Sequence, residues 1–101
     1  MPIQADLTDN GQLLTIKVSG RFDFSSHQAF RQAYERAGLS PRRYCIDLQD
    51  TDYIDSSALG MLLLLRDHAG GDLAEITIRH ASAEVRKVLS ISNFEQLFHI
   101  E

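Results

Sequence analysis

Tyr53-Ile54-Asp55-Ser56-Ser57-Ala58-Leu59-Gly60 runs straight into Met61-Leu62-Leu63-Leu64-Leu65, and the change of pattern inside this stretch organises the rest of the chain. An extended segment gives way to a strongly apolar helical run, with a carboxylate and two hydroxyls at or beside the helix N-cap. Acidic and hydroxyl residues there are explained by plain capping of the bare N–H groups. The same place also welcomes an added anion, because those N–H groups and the positive end of the helix dipole both stabilise it. Both readings stand on the residues alone. Further along the helix, from about Ser57 to Ala69, Leu62 to Leu65 point successively about 100° apart and cannot all face one side. Some must pack on another helix or on a partner.

Upstream, Asn10-Gly11 is a favoured two-residue hairpin turn. Closing it pairs Leu7 with Leu14, Ala5 with Ile16 and Ile3 with Val18, so apolar residues meet on one face while Asp6, Thr8, Thr15 and Lys17 take the other. Gly20-Arg21-Phe22-Asp23-Phe24 follows, then Ser25-Ser26 as a helix cap. Ala29, Phe30, Ala33, Tyr34 and Ala37 form one helical face that Gly38 and Pro41 close. Arg43 to Leu48 reads as a strand buried on both sides, and Gln49 to Asp52 as a polar loop.

Downstream, Gly70-Gly71 ends the long helix and Glu75 to Arg79 alternates like a short strand. Ser82 caps a helix through about Ile91 with Val85, Val88 and Leu89 inward. Ser92-Asn93-Phe94-Glu95 has capping-box spacing for a last turn burying Phe94, Leu97 and Phe98. His99-Ile100-Glu101 adds an edge strand. The sum is one α/β domain over 1–101: a mixed sheet with an N-terminal antiparallel hairpin, then parallel strands, with helices packed on the sheet. Parallel strands emerge on one edge, so Asp23, after the second strand, is expected beside Asp55-Ser56, after the third.

With 101 residues, 44% of them hydrophobic and 24% charged, the chain supports a single core. A net charge of −4 offers nothing to offset phosphate repulsion, which argues against nucleic acid and anionic membranes. No apolar run approaches the roughly 20 residues of a membrane span, and the opening Met1-Pro2-Ile3 lacks a basic n-region before an apolar stretch. Cys45, the single cysteine, reads as a buried thiol of a reducing cytoplasm.

Catalytic patterns are missing. No glycine immediately precedes Ser56 or Ser57 to permit a nucleophile elbow, and His27, His68, His80 and His99 lack metal-ligand spacing. A phosphoaspartate receiver would need an acidic pair after a first strand that here enters a hairpin. No glycine-rich phosphate loop suggests a nucleotide site. The residues read as a binding module that is not an enzyme and needs no cofactor or metal.

Asp55-Ser56-Ser57-Ala58-Leu59-Gly60, preceded by Cys45-Ile46-Asp47-Leu48 and followed by an aliphatic helix, resembles the STAS domain of bacterial anti-sigma factor antagonists. Gly20-Arg21-Phe22-Asp23 is similar to that family's turn after its second strand, and the likeness runs nearly end to end. It implies a protein that binds an anti-sigma factor when unphosphorylated and releases it when phosphorylated; the small size and single core permit a monomer, and the lone thiol fits the cytoplasm. The anti-sigma factor itself is often the serine kinase, and a PP2C-type phosphatase reverses the modification. By position the phosphorylated residue is Ser56, with Ser57 as the fallback, and the partner-binding set is Asp23, Asp55, Ser56, Ser57, Ala58, Leu59 and Leu63. Ala58 stands where the family commonly has glycine, which would add a methyl where a partner backbone approaches. The alternative within the family is a constitutive subunit of a transport complex, such as one for lipids.

Overall fold

The computed structural model describes residues 2–39 and 41–101; of the opening Met1-Pro2-Ile3, Met1 lies outside them. Strands β1 (Ile3–Thr8) and β2 (Leu13–Val18) pair antiparallel in the expected register, Leu7 with Leu14, Ala5 with Ile16 and Ile3 with Val18. The connection is two overlapping turns instead of one. Asp9, Asn10 and Gly11 all have positive φ (55°, 56° and 83°), with Gly11 N–H donating to Thr8 and Gln12 N–H to Asp9. Asp, Asn and Gly are the residues that tolerate that conformation.

The chain continues through β3 (Gly20–Phe22), a short helical turn (Phe24–Ser26), α1 (His27–Glu35), β4 (Arg43–Asp47), β5 (Thr51–Ile54), α2 (Ser56–His68), a second turn (Gly71–Leu73), β6 (Ile76–Arg79), α3 (Ala83–Ile91), a third turn (Phe94–Gln96) and β7 (His99–Ile100). The main sheet runs β1-β2-β4-β6-β7, parallel apart from the first hairpin. β3 and β5 form a separate two-stranded parallel ribbon. The sequence reading treated β2 and β3 as one strand and Thr51-Asp52 as loop. Both strands of the β2–β4 pair instead break and resume in the ribbon. Thr51 Oγ1 donating to the Val18 carbonyl at 2.7 Å and Gly20 N–H donating to the Asp50 carbonyl at 2.9 Å hold the two breaks together.

Burial alternates along the central strands. Leu14, Ile16 and Val18 of β2, Tyr44 and Ile46 of β4 with Leu48 just beyond it, and Ile76 and Ile78 of β6 are buried. They join one core with Phe30 and Tyr34 of α1, Met61, Leu62 and Leu65 of α2, and Val85 and Leu89 of α3. Each such side chain contributes about 1.5–3 kcal/mol by leaving water. The intervening Thr15, Lys17, Cys45, Asp47 and Thr77 are only half-buried, so β4 is not covered on both sides. Alternation puts these residues on the opposite face. Cys45 is correspondingly half-buried, and that partial burial pushes its thiol up.

Three further expectations are corrected. Ser25 and Ser26 do not cap α1: Asp23 caps the preceding turn, and the Ser26 hydroxyl donates to the Arg21 carbonyl. Ser92 and Glu95 form no capping box, because Asn93 in the left-handed region (φ 59°) starts the last turn and leaves Leu97 exposed. On the edge strand β1, Ala5 and Leu7 stay exposed in the open groove between β1 and α1.

Candidate functional site

The ribbon brings two acidic residues to one rim. β3 and β5 are parallel and Phe22 pairs with Ile54, so Asp23 and Asp55 are the next residues out on neighbouring strands. The register slips just before this point. Gly20 pairs with Thr51 but Arg21 with Tyr53, which leaves Asp52 as an extra residue on β5. Such a bulge re-aims side chains, and here it sets Arg21 opposite Tyr53. The guanidinium carbon lies 3.8 Å from the centre of the Tyr53 ring, and Arg21 Nε donates to Asp23 Oδ2 at 3.2 Å. Asp23 Oδ1 accepts from the backbone N–H of Ser25 at 3.0 Å and from its hydroxyl at 2.5 Å. The Ser25 hydroxyl foremost, with the Arg21 guanidinium adding to it, holds the Asp23 carboxyl below its usual range against an opposing desolvation.

Asp55 has extended backbone (φ −129°, ψ −175°) and is the N-cap of α2. Its Oδ1 accepts from Ala58 N–H at 3.1 Å, and its carbonyl accepts from Leu59 N–H at 3.2 Å. The cap is therefore a carboxylate, and the two hydroxyls behind it are spared that work. Ser56, the first helical residue, is exposed and Ser57 half-buried. Among the described residues neither hydroxyl has a hydrogen-bond partner.

Helical spacing carries the outward face of α2 from Ser56 through Gly60 to Leu63, all exposed. Leu59, half-buried and packed against the core, and exposed Leu64 flank it. Ala58 does not belong to this surface. It is fully buried, so its methyl packs inward and cannot obstruct an approaching backbone. The helix also resolves the four-leucine run: Leu62 and Leu65 are fully buried, whereas Leu63 and Leu64 are 39% and 50% exposed.

Sequence reasoning missed Arg21, Phe24 and Leu64 as members of this rim. Arg21 was within reach, since strand alternation puts residues 21 and 23 on one side. Phe24 is 72% exposed, with its ring stacked on His27 at 5.7 Å between centres. Two other histidines hold structural partners: His68 Nε2 lies 3.0 Å from the Gly38 carbonyl, and His80 Nδ1 lies 3.1 Å from Asp47 Oδ1. Among the described residues no cluster of His, Cys, Asp or Glu suits a metal ion, and no helix is long and apolar enough to cross a membrane. The apolar groove between β1 and α1, lined by Ile3, Leu7, Leu14, Ala29 and Ala33, includes none of Asp23, Asp55 or Ser56. The candidate site is thus an acidic and partly apolar surface around two unbonded hydroxyls, of which that of Ser56 is the exposed one.

Comparison with known proteins agrees with this architecture. A STAS-domain containing protein of Pseudomonas aeruginosa strain UCBPP-PA14 is 62% identical over 100 residues, covering 99% of each chain. The anti-sigma factor antagonist SpoIIAA in its unphosphorylated form superposes with a TM-score of 0.76 at 16% identity, over 98% of this chain and 86% of that one. The Bacillus cell fate determinant SpoIIAA in its phosphorylated form gives 0.74 at 16% identity, over 98% and 90%. An anti-sigma factor antagonist from Mycobacterium paratuberculosis gives 0.78 at 19% identity, over 97% and 84%. At such identities the structural likeness speaks for the fold. Residues 5–99 match the family model described as Mlab, STAS domain, and the chain belongs to the STAS domain family.

Proposed function

We propose that this chain is a phosphorylation-switched anti-sigma factor antagonist, a binding module without catalytic activity of its own. Unphosphorylated, it binds an anti-sigma factor that doubles as a serine kinase; phosphorylation of Ser56 releases it, and a PP2C-type phosphatase resets it in the cytoplasm. The observation that carries this reading is the division of labour at the start of α2. Asp55 takes the cap, so the Ser56 hydroxyl is exposed and unbonded at the first helical position. Ser57, half-buried one residue further, is the second choice. That a similarly folded antagonist is known in both unphosphorylated and phosphorylated forms supports it.

The switch acts on the partner interface and leaves the fold intact. A phosphate adds about −1.5 to −2 charges, which the N-terminus of α2 tolerates. A partner seated over Asp23, Asp55, Ser57, Leu59 and Leu63 would have to desolvate that charge beside two carboxylates. Burying that net negative charge without a further counter-charge from the partner costs several kcal/mol, enough for about a hundredfold loss of binding or more. Ala58, being buried, serves the core of this surface and makes no contact.

The test is binding of the anti-sigma factor captured from native cells, re-measured with purified components. Unmodified chain and Ser56→Ala should bind alike, and chain carrying phosphoserine at 56 should bind at least about a hundredfold more weakly. Equal binding by all three would overturn the switch, and capture of transporter subunits with no anti-sigma factor would favour the alternative, a STAS subunit held constitutively in a transport complex. The free Ser56 hydroxyl favours the switch over that alternative.

A further inference from the structure

The rim bearing Ser56 is acidic through Asp23, Asp52 and Asp55, and Arg21 is the cation set among them. Arg21 is held there by two contacts that both release easily. Its side chain is 62% exposed, and an exposed ion pair of this kind is worth little against solvent. Asp23 does not depend on it alone, because the Ser25 N–H and hydroxyl still hold Oδ1, and the exposed Oδ2 that Arg21 leaves is open to solvent. The cation–π contact with Tyr53 rests the guanidinium on the ring of an exposed residue, outside the core.

Register fixes how far Arg21 must travel. Arg21 pairs with Tyr53, and Asp55, in extended backbone just past the end of β5, is two residues further along the chain, roughly 7 Å. Ser56 follows immediately, and a re-aimed arginine side chain spans that gap. A phosphate there competes with Asp23 on favourable terms. It has about twice the charge and three acceptor oxygens, suited to the planar guanidinium fork.

We propose that Arg21 is the built-in counter-charge of phosphorylated Ser56, moving its guanidinium from Asp23 to the phosphate while Asp23 keeps Ser25. This rests on the assignment of Ser56 as the modified residue. Phosphorylation then alters the surface at three places at once: a new ion pair at Ser56, a carboxylate at Asp23 stripped of its cation, and a Tyr53 face no longer covered. A partner that reads Arg21-Asp23 and Tyr53 loses those features together with the neutral hydroxyl.

The experiment uses the full chain with phosphoserine placed at position 56 by genetic encoding, which needs neither kinase nor partner. Phosphorus NMR follows the second phosphate pKa in the otherwise wild-type chain, Arg21→Lys and Arg21→Gln. Asp23, Asp52 and Asp55 raise that pKa in every variant, and His27 and Tyr53 are common to all. The difference between variants therefore isolates residue 21. The wild-type phosphate should titrate about half a unit to one unit below that of Arg21→Gln, with Arg21→Lys between them and the gap closing at high salt. Equal titration in all three overturns the counter-charge, whatever the kinase experiments show. Cells that never phosphorylate Ser56 would overturn the switch and leave this titration unchanged.

Discussion

Helices α2 and α3 both begin on a turn that carries serine, and they use the hydroxyl in opposite ways. At α3, Ser82 sits in extended backbone (φ −63°, ψ 165°) and its Oγ accepts from Val85 N–H at 3.2 Å. At α2 the same bond, from the residue three positions on, goes to Asp55. Ser56 is thereby displaced one residue into the helix, where its side chain has no backbone donor to satisfy. One position of offset separates a hydroxyl that holds the fold together from one that is available to chemistry. A carboxylate cap also carries a full charge beside the helix dipole, so α2 keeps its N-terminus stabilised whatever is done to Ser56.

This contrast is first broken at Asp55. Asp55→Ala removes the side-chain cap of the helix that supplies Met61, Leu62 and Leu65 to the core. It should lower unfolding free energy by about 1–2 kcal/mol in urea, with m unchanged. Asp55→Ser, which restores a capping oxygen, should recover most of that loss. If Asp55→Ala is neutral, the cap is not what frees Ser56, and the division of labour at α2 fails with it.

Next in size is Ser82→Ala, expected to cost about 1 kcal/mol for the loss of a single hydroxyl cap. Ser82→Asp, which converts α3 to the arrangement of α2, should restore it. The two helices would then be interchangeable in how they start, with the difference residing in which residue is left over.

How far these roles could be read without coordinates varied from place to place along the chain. The register of the first hairpin was legible to the residue, because Asn10-Gly11 and the alternation of Ile3, Ala5 and Leu7 against Leu14, Ile16 and Val18 are local signals that agree, although Asp9 joins the turn. The cap at Ser82 was legible for the same reason. At α2 the sequence offers three adjacent capping residues, Asp55, Ser56 and Ser57, and composition cannot say which takes the bond. That depends on where β5 ends, and β5 itself was hidden: Thr51 and Asp52 look like loop, yet Thr51 pairs with Gly20 and bonds to Val18, with Asp52 bulged out as the extra residue. The capping box at Ser92 failed because Asn93 takes a left-handed conformation ahead of the turn that buries the stacked Phe94 and Phe98, and a spacing of residue types does not show backbone handedness. Leu62 to Leu65 could be divided only once the helix had a direction to face.

The smallest effect is the most telling. Ser56→Ala should change unfolding free energy by no more than about 0.5 kcal/mol, because the hydroxyl is exposed and makes no hydrogen bond that the mutation could remove. Alanine is also a better helix former than serine, which pushes the difference toward slight stabilisation. Side-by-side urea melts of Ser56→Ala and Ser82→Ala therefore read the same chemical deletion, one oxygen, at the starts of two helices. A clear loss at 82 with none at 56 is the pattern that a structural and a spare hydroxyl require. A matching loss at 56 would mean that the hydroxyl is bonded in solution, and a kinase would then have to break the helix start in order to reach it.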